Sequence, residues 1–144
     1  MKLKVIDHFD AAHRLLDYRG KCVNVHGHTW MVEVGVEVDV SQMSEVGFAI
    51  DFGDLKHIVK GVLEEYDHAI LLSAHDTLSQ QVKDSTRIIV LEGNPTAENL
   101  AIRILKDLRQ ELRERELSNI SVVEVTVWES PKAGVTVYDE EVVE

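Results

Sequence analysis

Residues 28–40 alternate between two kinds of side chain. Trp30 and the valines at every second position up to Val40 share one side, while the intervening positions are mostly polar or small. Because successive side chains of a strand point to opposite faces, this alternation predicts a long strand with one buried face. The same register sets His26 and His28 on the apolar face, at the end where the strand begins.

Shorter patterns predict the strands that accompany this one. We expect them over residues 2–13, 87–91, 120–129 and 135–138. The connection over residues 73–87 is long and polar, so it is either a surface excursion or contains a short helix of its own. Together with two helices, these strands predict a single α+β domain over residues 1–144, with the helices on one face of a mostly antiparallel sheet.

Two segments have the apolar spacing of amphipathic helices. The first is capped by Asp54, continues with apolar residues from Leu55 to Tyr66, and ends near Asp67-His68. The second opens at Pro95-Thr96, with Thr96 as the N-cap, and ends near Leu117. Each helix has one apolar stripe, which predicts that it packs on the sheet with the opposite side in water.

The composition limits the partners that the protein can have. The formal net charge is -11 at pH 7 and the isoelectric point is near 5.0. This charge disfavours nucleic acids and anionic membranes as partners, because both are bound by basic surfaces. Residues 1–10 lack an apolar signal segment, and no apolar run approaches the ~20 residues of a membrane helix, so we expect a cytoplasmic protein. Its single cysteine excludes an internal disulfide.

Three histidines have the arrangement of a metal site. His26 and His28 leave the same face of a strand, about 7 Å apart at the backbone, and His13 lies at the end of the first strand. Imidazole suits zinc better than magnesium or calcium, and three protein ligands leave the open position of a catalytic site. The alternative is that these are ordinary polar residues near strand ends. We predict that His13, His26 and His28 bind Zn²⁺.

Cys22 lies four residues before His26 and has three possible roles. It could be a small buried hydrophobic residue, a fourth zinc ligand that closes the site, or a catalytic group. A thiol beside a metal cation and imidazoles ionises more readily than a free one, which favours a base or nucleophile.

Asp67 and His68 form an acid–imidazole pair at the end of the first predicted helix. They are either a helix-terminal cap or an acid/base relay in which the carboxylate orients the imidazole. At the start of the second helix, a capping box would place an acid three residues after Thr96, but that position is Asn99 and the acid is Glu98. Glu98 therefore remains available for another role.

Glu129 ends the strand over residues 120–129. The predicted alternation places it on the same face as Val123, Val125 and Val127. An unpaired carboxylate on an apolar face is costly, and a cationic or amidine-like partner would remove that cost. The alternative is a solvent-exposed strand end.

In sequence order, these motifs resemble those of the 6-pyruvoyl-tetrahydropterin synthase and 6-carboxy-tetrahydropterin synthase family. The matching pieces are Phe-Asp-Ala-Ala-His at 9–13, Cys-x-x-x-His-Gly-His at 22–28, Asp-Phe-x-x-Leu-Lys at 51–56, Asp-His at 67–68, Pro-Thr-x-Glu-Asn-Leu-Ala at 95–101, and Glu129. Each piece is weak alone, but together and in this order they are a specific signal over essentially the full chain. The three-residue gap between Cys22 and His26 resembles the gap found in the 6-carboxy-tetrahydropterin synthase branch of the family, which serves queuosine biosynthesis.

The resemblance implies a tunnelling fold (T-fold). In this fold a four-stranded antiparallel sheet carries two helices on one face, and copies join through sheet edges into trimeric barrels, commonly as hexamers. The resemblance also implies zinc on the three histidines, with Cys22 as the general base. Asp67-His68 would be the relay of that base, supplied by a neighbouring subunit. Glu129 would hold the guanidine-like edge of a pterin, with Thr96 and Glu98 near the ring.

The implied activity is that of a zinc-dependent lyase acting on 7,8-dihydroneopterin triphosphate. The product would be 6-carboxy-5,6,7,8-tetrahydropterin, with release of triphosphate and acetaldehyde. The alternatives are 6-pyruvoyl-tetrahydropterin synthase, which stops after triphosphate elimination, and a zinc- or pterin-binding member without turnover. Three departures from the family pattern bear on substrate scope: Tyr66 before the Asp-His pair, Leu72 where Asn is usual, and the long connection over residues 73–87.

Overall fold

The computed structural model describes residues 1–144 and contains six strands and three α-helices. The strands are β1 (Lys2–His13), β2 (His26–Val38), β3 (Ala69–Ser73), β4 (Ile88–Leu91), β5 (Ile120–Ser130) and β6 (Ala133–Tyr138). The helices are α1 (Phe52–Leu63), α2 (Leu78–Val82) and α3 (Ala97–Glu114). Short 3-10 turns occupy Lys21–Val23, Val40–Gln42 and Asp139–Glu141. None of the helices is both long and apolar enough to span a bilayer.

All six strands form one mixed sheet in the order β4-β3-β1-β2-β5-β6. The pairs β1–β2, β2–β5 and β5–β6 are antiparallel, while β1–β3 and β3–β4 are parallel. The α+β class is therefore confirmed. The expectation of a four-stranded antiparallel sheet is wrong, because β3 and β4 extend the sheet beyond the edge of β1.

The strand β3 escaped prediction because it has no alternating pattern. Four of its five residues, including Leu71 and Leu72, are buried, so both of its faces are covered. Such a strand reads as a short apolar run that periodicity cannot distinguish from a helix end. The connection over residues 73–87 contains the short helix α2, which was one of the two alternatives.

The core lies between one face of the sheet and the helices α1 and α3, which also pack against each other. The valine face of β2 is confirmed, since Val32, Val34 and Val36 are at most 1% exposed. The predicted stripe of α3 is buried throughout: Leu100, Ala101, Ile104, Leu105, Leu108 and Leu112. Full burial of each leucine contributes about 1.5–3 kcal/mol, so this helix anchors its N-terminus firmly against the sheet.

The helix ends differ from prediction at three points. Asp51, rather than Asp54, caps α1 by accepting a hydrogen bond from the Gly53 amide at 2.6 Å. The first turn was missed because Phe52 is exposed and does not belong to the apolar stripe. The helix α1 ends at Leu63 and α3 at Glu114, both earlier than predicted. The predicted cap of α3 is confirmed, because the Thr96 side chain accepts from the Asn99 amide.

The strand β5 contains a bulge that changes its buried face. Val123 has no partner in β2, because the register shifts opposite Gly35 and Val36. The buried residues are Ile120, Val122, Val125 and Val127. The prediction that Val123 shares a face with Val125 is therefore wrong. Glu129 lies at a second irregularity of β5 and has no strand partner, because the β5–β6 register shifts between Trp128 and Ser130.

Candidate metal centre

Three histidine rings converge at the end of the β1–β2 pair. His13 lies directly opposite His26 in the antiparallel register, and their Nε2 atoms are 3.1 Å apart. His28 follows on the same face of β2, so that one ligand nitrogen from each ring lies within 4.8 Å of the others. The predicted grouping of these three side chains is thus present in the structure.

Backbone carbonyl groups determine the tautomers of two of these rings. His13 Nδ1 is 2.7 Å from the Pro95 carbonyl oxygen, and His26 Nδ1 is 2.7 Å from the Asn24 carbonyl oxygen. A carbonyl oxygen only accepts, so each Nδ1 must carry a proton, and in the neutral rings each Nε2 presents a lone pair. These two lone pairs face each other at 3.1 Å, which is unfavourable unless a proton or a metal cation lies between them.

The third nitrogen lacks any hydrogen-bond partner. His28 Nε2 is buried and unpaired, and the nearest charged atom is Glu129 Oε1 at 3.5 Å. Burial lowers the pKa of both His13 and His28, which favours the neutral imidazole that binds metals. An orphaned buried nitrogen beside two facing lone pairs fits a metal ion bound by three imidazoles.

Trp30 forms the wall behind the cluster. Its indole is fully buried and meets the rings of His13 and His28 edge-on, with centroid distances of 5.0 Å and 5.2 Å. Its Nε1 donates to the Ala11 carbonyl oxygen at 3.2 Å. Because this bond holds the edge of the indole and the Phe9 ring stacks on its face at 6.1 Å, the indole limits the rotation of the two imidazoles.

Cys22 is not part of the histidine cluster. It is a half-buried residue of the 3-10 turn Lys21–Val23, and its carbonyl oxygen accepts from the Leu15 amide at 2.8 Å. The group of converging ligand atoms consists of histidine nitrogens alone. The geometry therefore gives no support to a fourth ligand that closes the site.

Asp67 and His68 are paired as predicted, with Asp67 Oδ2 at 2.9 Å from His68 Nδ1. The Asp10 backbone holds both residues: its N–H donates to Asp67 Oδ1 at 2.9 Å, and its carbonyl accepts from the His68 amide at 2.6 Å. These bonds, first the one from Asp10 and then the one from His68, lower the pKa of Asp67. They also hold His68 in a left-handed conformation with φ of 58°, which is uncommon for a residue with a side chain.

The His68 side chain is 79% exposed and makes no hydrogen bond to the histidine cluster or to Cys22. It lines an open cavity of about 520 Å³ together with Asp10 and Thr29, whose side chains lie on the sheet face opposite the helices. Within one chain, the structure thus forms the Asp-His pair beside a cavity that His28 also lines, but no hydrogen bond joins the pair to the histidine cluster.

The remaining predicted residues lie around the centre at different depths. Glu129 is next to His28, with a side chain that is 36% exposed. Thr96 is half-buried at the N-terminus of α3, directly after Pro95, the residue that holds His13. Glu98 is exposed in the first turn of that helix.

Two contacts around the centre were not predicted from the sequence. Arg14, which follows His13, donates from Nε and Nη2 to the Asp76 carboxylate at 2.7 Å and 2.5 Å. The Asp76 side chain is only 1% exposed. Leu16 is held by the side-chain amide of Asn94. These partners are separated by 62 and 78 residues, and no periodic pattern links residues in distant loops. The sole available signal was that Asn94 directly precedes the matched Pro-Thr motif.

Comparison with known proteins identifies the family. The model of the family described as 6-pyruvoyl tetrahydropterin synthase matches residues 2–140. The chain is 31% identical over 133 residues to the 6-carboxy-5,6,7,8-tetrahydropterin synthase of Rickettsia bellii, covering 90% of this chain and 94% of that one. It is 36% identical over 117 residues to the protein of the same name from Aquifex aeolicus, covering 76% and 71%.

The solved structure of 6-pyruvoyl tetrahydropterin synthase from Plasmodium vivax has the same fold. It superposes with a TM-score of 0.71 at 23% identity, covering 95% of this chain and 97% of that one. Because the family match extends over nearly the whole sequence and the fold agrees, this chain belongs to the 6-pyruvoyl tetrahydropterin synthase family.

Proposed function

We propose that this protein is a zinc-dependent lyase that converts 7,8-dihydroneopterin triphosphate to 6-carboxy-5,6,7,8-tetrahydropterin, releasing triphosphate and acetaldehyde. Family membership and the names of the relatives from Rickettsia bellii and Aquifex aeolicus support a pterin synthase. The observation that carries the metal assignment is the trio of converging nitrogens, two with lone pairs facing each other and one buried without a partner.

His13, His26 and His28 would hold Zn²⁺, with one coordination position left for substrate. When bound, the ion would ligate the side-chain hydroxyls of the substrate and make them more acidic. The surrounding protein orients the histidine rings and favours their neutral form. The carbonyl oxygens of Pro95 and Asn24 orient two rings, and burial keeps His13 and His28 neutral.

Cys22 would act as the base that removes protons from the side-chain carbons of the substrate. Asp67 and His68 would assist it by holding and passing protons. Since His68 Nδ1 donates to Asp67, its Nε2 is the atom free to accept.

The large exposure of the His68 imidazole supports a relay that reaches the site of another subunit. We therefore propose a homo-oligomer built from trimers, most simply a hexamer, with active sites between subunits.

Glu129 would bind the guanidine-like edge of the pterin, because a carboxylate can accept two parallel N–H bonds from such a group. Its position 3.5 Å from His28 supports a ring bound directly beside the metal ligands. Thr96 and Glu98 would complete the ring pocket at the N-terminus of α3. The Thr96 hydroxyl oxygen accepts from the Asn99 amide, so its hydrogen remains available to a ligand.

The test is to incubate the zinc-loaded protein with 7,8-dihydroneopterin triphosphate and to identify the products. We expect 6-carboxy-tetrahydropterin by mass spectrometry and an equal amount of acetaldehyde by a coupled dehydrogenase assay. A pyruvoyl product without acetaldehyde would establish the alternative that stops after triphosphate elimination. Tight pterin binding without any product would indicate a binding protein instead. The variant Cys22→Ala, purified in the same way, measures contaminating activity.

A further inference from the structure

The backbone just after His13 is paired with a side chain instead of a strand. Asn94 Oδ1 accepts from the Leu16 N–H at 2.8 Å, and Asn94 Nδ2 donates to the Leu16 carbonyl at 3.0 Å. A neighbouring strand residue would form these same two bonds with Leu16 in an antiparallel ladder. The amide of Asn94 therefore fixes both the position and the orientation of this peptide segment.

Asn94 is itself held rigidly. Its carbonyl oxygen accepts from the Thr96 amide and from Asn99 Nδ2, each at 2.8 Å. The next residue, Pro95, is the one whose carbonyl orients His13. Residues 94–95, just before α3, thus make two contacts. The Pro95 carbonyl contacts His13 of the histidine cluster, and the Asn94 side chain contacts the loop after β1.

The loop after β1 carries Cys22 and has little packing of its own. Residues 17–25 are exposed except for Cys22, which is half-buried. The Leu15 amide donates to the Cys22 carbonyl oxygen at 2.8 Å. Because Leu15 and Leu16 are consecutive, the peptide segment that Asn94 fixes is also the one that holds Cys22.

We propose that Asn94 is a positioning residue, which sets the distance between the Cys22 thiol and the histidine cluster through its paired bonds to Leu16. The inference rests on the proposed function, in which Cys22 moves protons of the substrate. Displacing a reacting group by about 1 Å costs on the order of 100-fold in rate. Asn94 does not contact the metal ligands with its side chain, so its removal affects turnover and leaves metal binding intact.

The experiment compares zinc-loaded Asn94→Ala with the wild type. We expect kcat to fall about 10- to 100-fold while KM for the pterin triphosphate changes less than about threefold. Zinc content per chain should be unchanged. Alkylation of Cys22 by iodoacetamide should become several-fold faster, because a loosened loop exposes the thiol more often.

Asn119→Ala is the matched control. The Asn119 side chain also donates to a backbone carbonyl, that of Ala49 at 3.4 Å, but it lies just before β5, where β5 pairs with the far end of β2. We expect this variant to have wild-type kcat and wild-type alkylation rate.

Asn94→Asp keeps the acceptor for the Leu16 N–H but sets a carboxylate oxygen against the Leu16 carbonyl, and it replaces Asn94→Ala if that variant does not fold. A kcat within about twofold of the wild type would overturn the proposal, whatever the alkylation rate.

If the wild type itself does not turn over the pterin triphosphate, the proposed function fails, and the alkylation rate alone tests the positioning of Cys22 by Asn94. Faster alkylation in the variant then supports this positioning, and an unchanged alkylation rate refutes it.

Discussion

His13 Nε2 and His26 Nε2 lie 3.1 Å apart, while the Nδ1 of each ring donates to a backbone carbonyl oxygen. Protein contacts thus hold the two rings with their Nε2 atoms together. The β1–β2 register sets the strand positions, and the carbonyls of Pro95 and Asn24 set the ring orientations. This preorganisation favours a metal ion, because only a cation or a proton relieves the contact.

Removal of one ligand tests the metal site directly. We expect the wild type to bind a single Zn²⁺ per chain and His26→Ala to lose most of it on dialysis. At a free zinc concentration of about 100 Kd, the wild type should gain about 2.7 kcal/mol in its free energy of unfolding, and His26→Ala much less. Metal analysis and thermal unfolding give both quantities. His8→Ala is the control, since His8 is 62% exposed and outside the cluster. Full zinc occupancy in His26→Ala would contradict the assignment.

The variant Cys22→Ala separates the roles of base and ligand. If Cys22 is the base, zinc content is unchanged while kcat falls by about 10²- to 10⁴-fold. Zinc analysis and product formation on the same preparation provide the comparison. Loss of zinc together with activity would instead make Cys22 a ligand, and the catalytic assignment would then be wrong.

The three candidate metal ligands could be predicted from the sequence because strand periodicity relates them. His26 and His28 share a face at a separation of two, and the valine alternation of β2 identifies that face as the buried one. His13 needed the additional assumption that β1 and β2 pair as a hairpin, and the register confirms it.

Contacts between loops could not be predicted in this way. Asp76 and Arg14 meet across 62 residues, and nothing near either position in the sequence indicates the other. The bulge at Val123 could not be predicted either. A single extra residue in β5 reverses the face of every later side chain, and no residue type in the sequence identifies its position. Such features depend on tertiary geometry that local patterns do not contain.

Complementation between inactive variants tests whether Asp67-His68 acts across a subunit boundary. Cys22→Ala and His68→Ala should each be inactive alone. In mixed oligomers refolded from equal amounts, about a quarter of the sites combine an intact Cys22 with an intact His68 from another chain. We expect activity to recover toward that level, measured as product formation after the mixed state is verified by native mass spectrometry. Absence of recovery in verified mixed oligomers would refute a relay between subunits, and Cys22→Ala refolded alone is the baseline.

Tyr66 donates its hydroxyl hydrogen to Asp107 on α3 and is fully buried. Tyr66→Phe keeps the ring packing and removes this bond, so we expect a loss of about 1–2 kcal/mol in the free energy of unfolding at pH 7. Burial, together with Asp107, raises the pKa of Tyr66 above its ordinary 10.0. The contribution of this hydrogen bond to the free energy of unfolding is therefore complete below pH 10.0 and decreases as the pH rises above 10.0.

Denaturant unfolding of wild type and Tyr66→Phe at pH 7 and above pH 10 measures this difference. Tyr18→Phe is the control, because Tyr18 is 53% exposed. Equal stability of Tyr66→Phe and wild type at pH 7 would show that the hydroxyl bond contributes nothing.

The Arg14–Asp76 ion pair predicts a specific dependence of stability on acid. In zinc-free protein at pH 7, Asp76→Asn should lower the free energy of unfolding by about 2–4 kcal/mol, because Arg14 loses a buried bidentate partner. Hydrogen bonding from Arg14 lowers the pKa of Asp76 below its ordinary 3.8. The stabilisation is therefore complete above pH 3.8 and is lost as the pH falls through the lowered value. Unfolding curves of both proteins should thus keep a constant separation near neutral pH and converge below pH 3.8. Asp84→Asn, an exposed acid in the same connection, should match the wild type throughout. A separation that persists unchanged in strong acid would mean that the ionised carboxylate is not the source of the stabilisation.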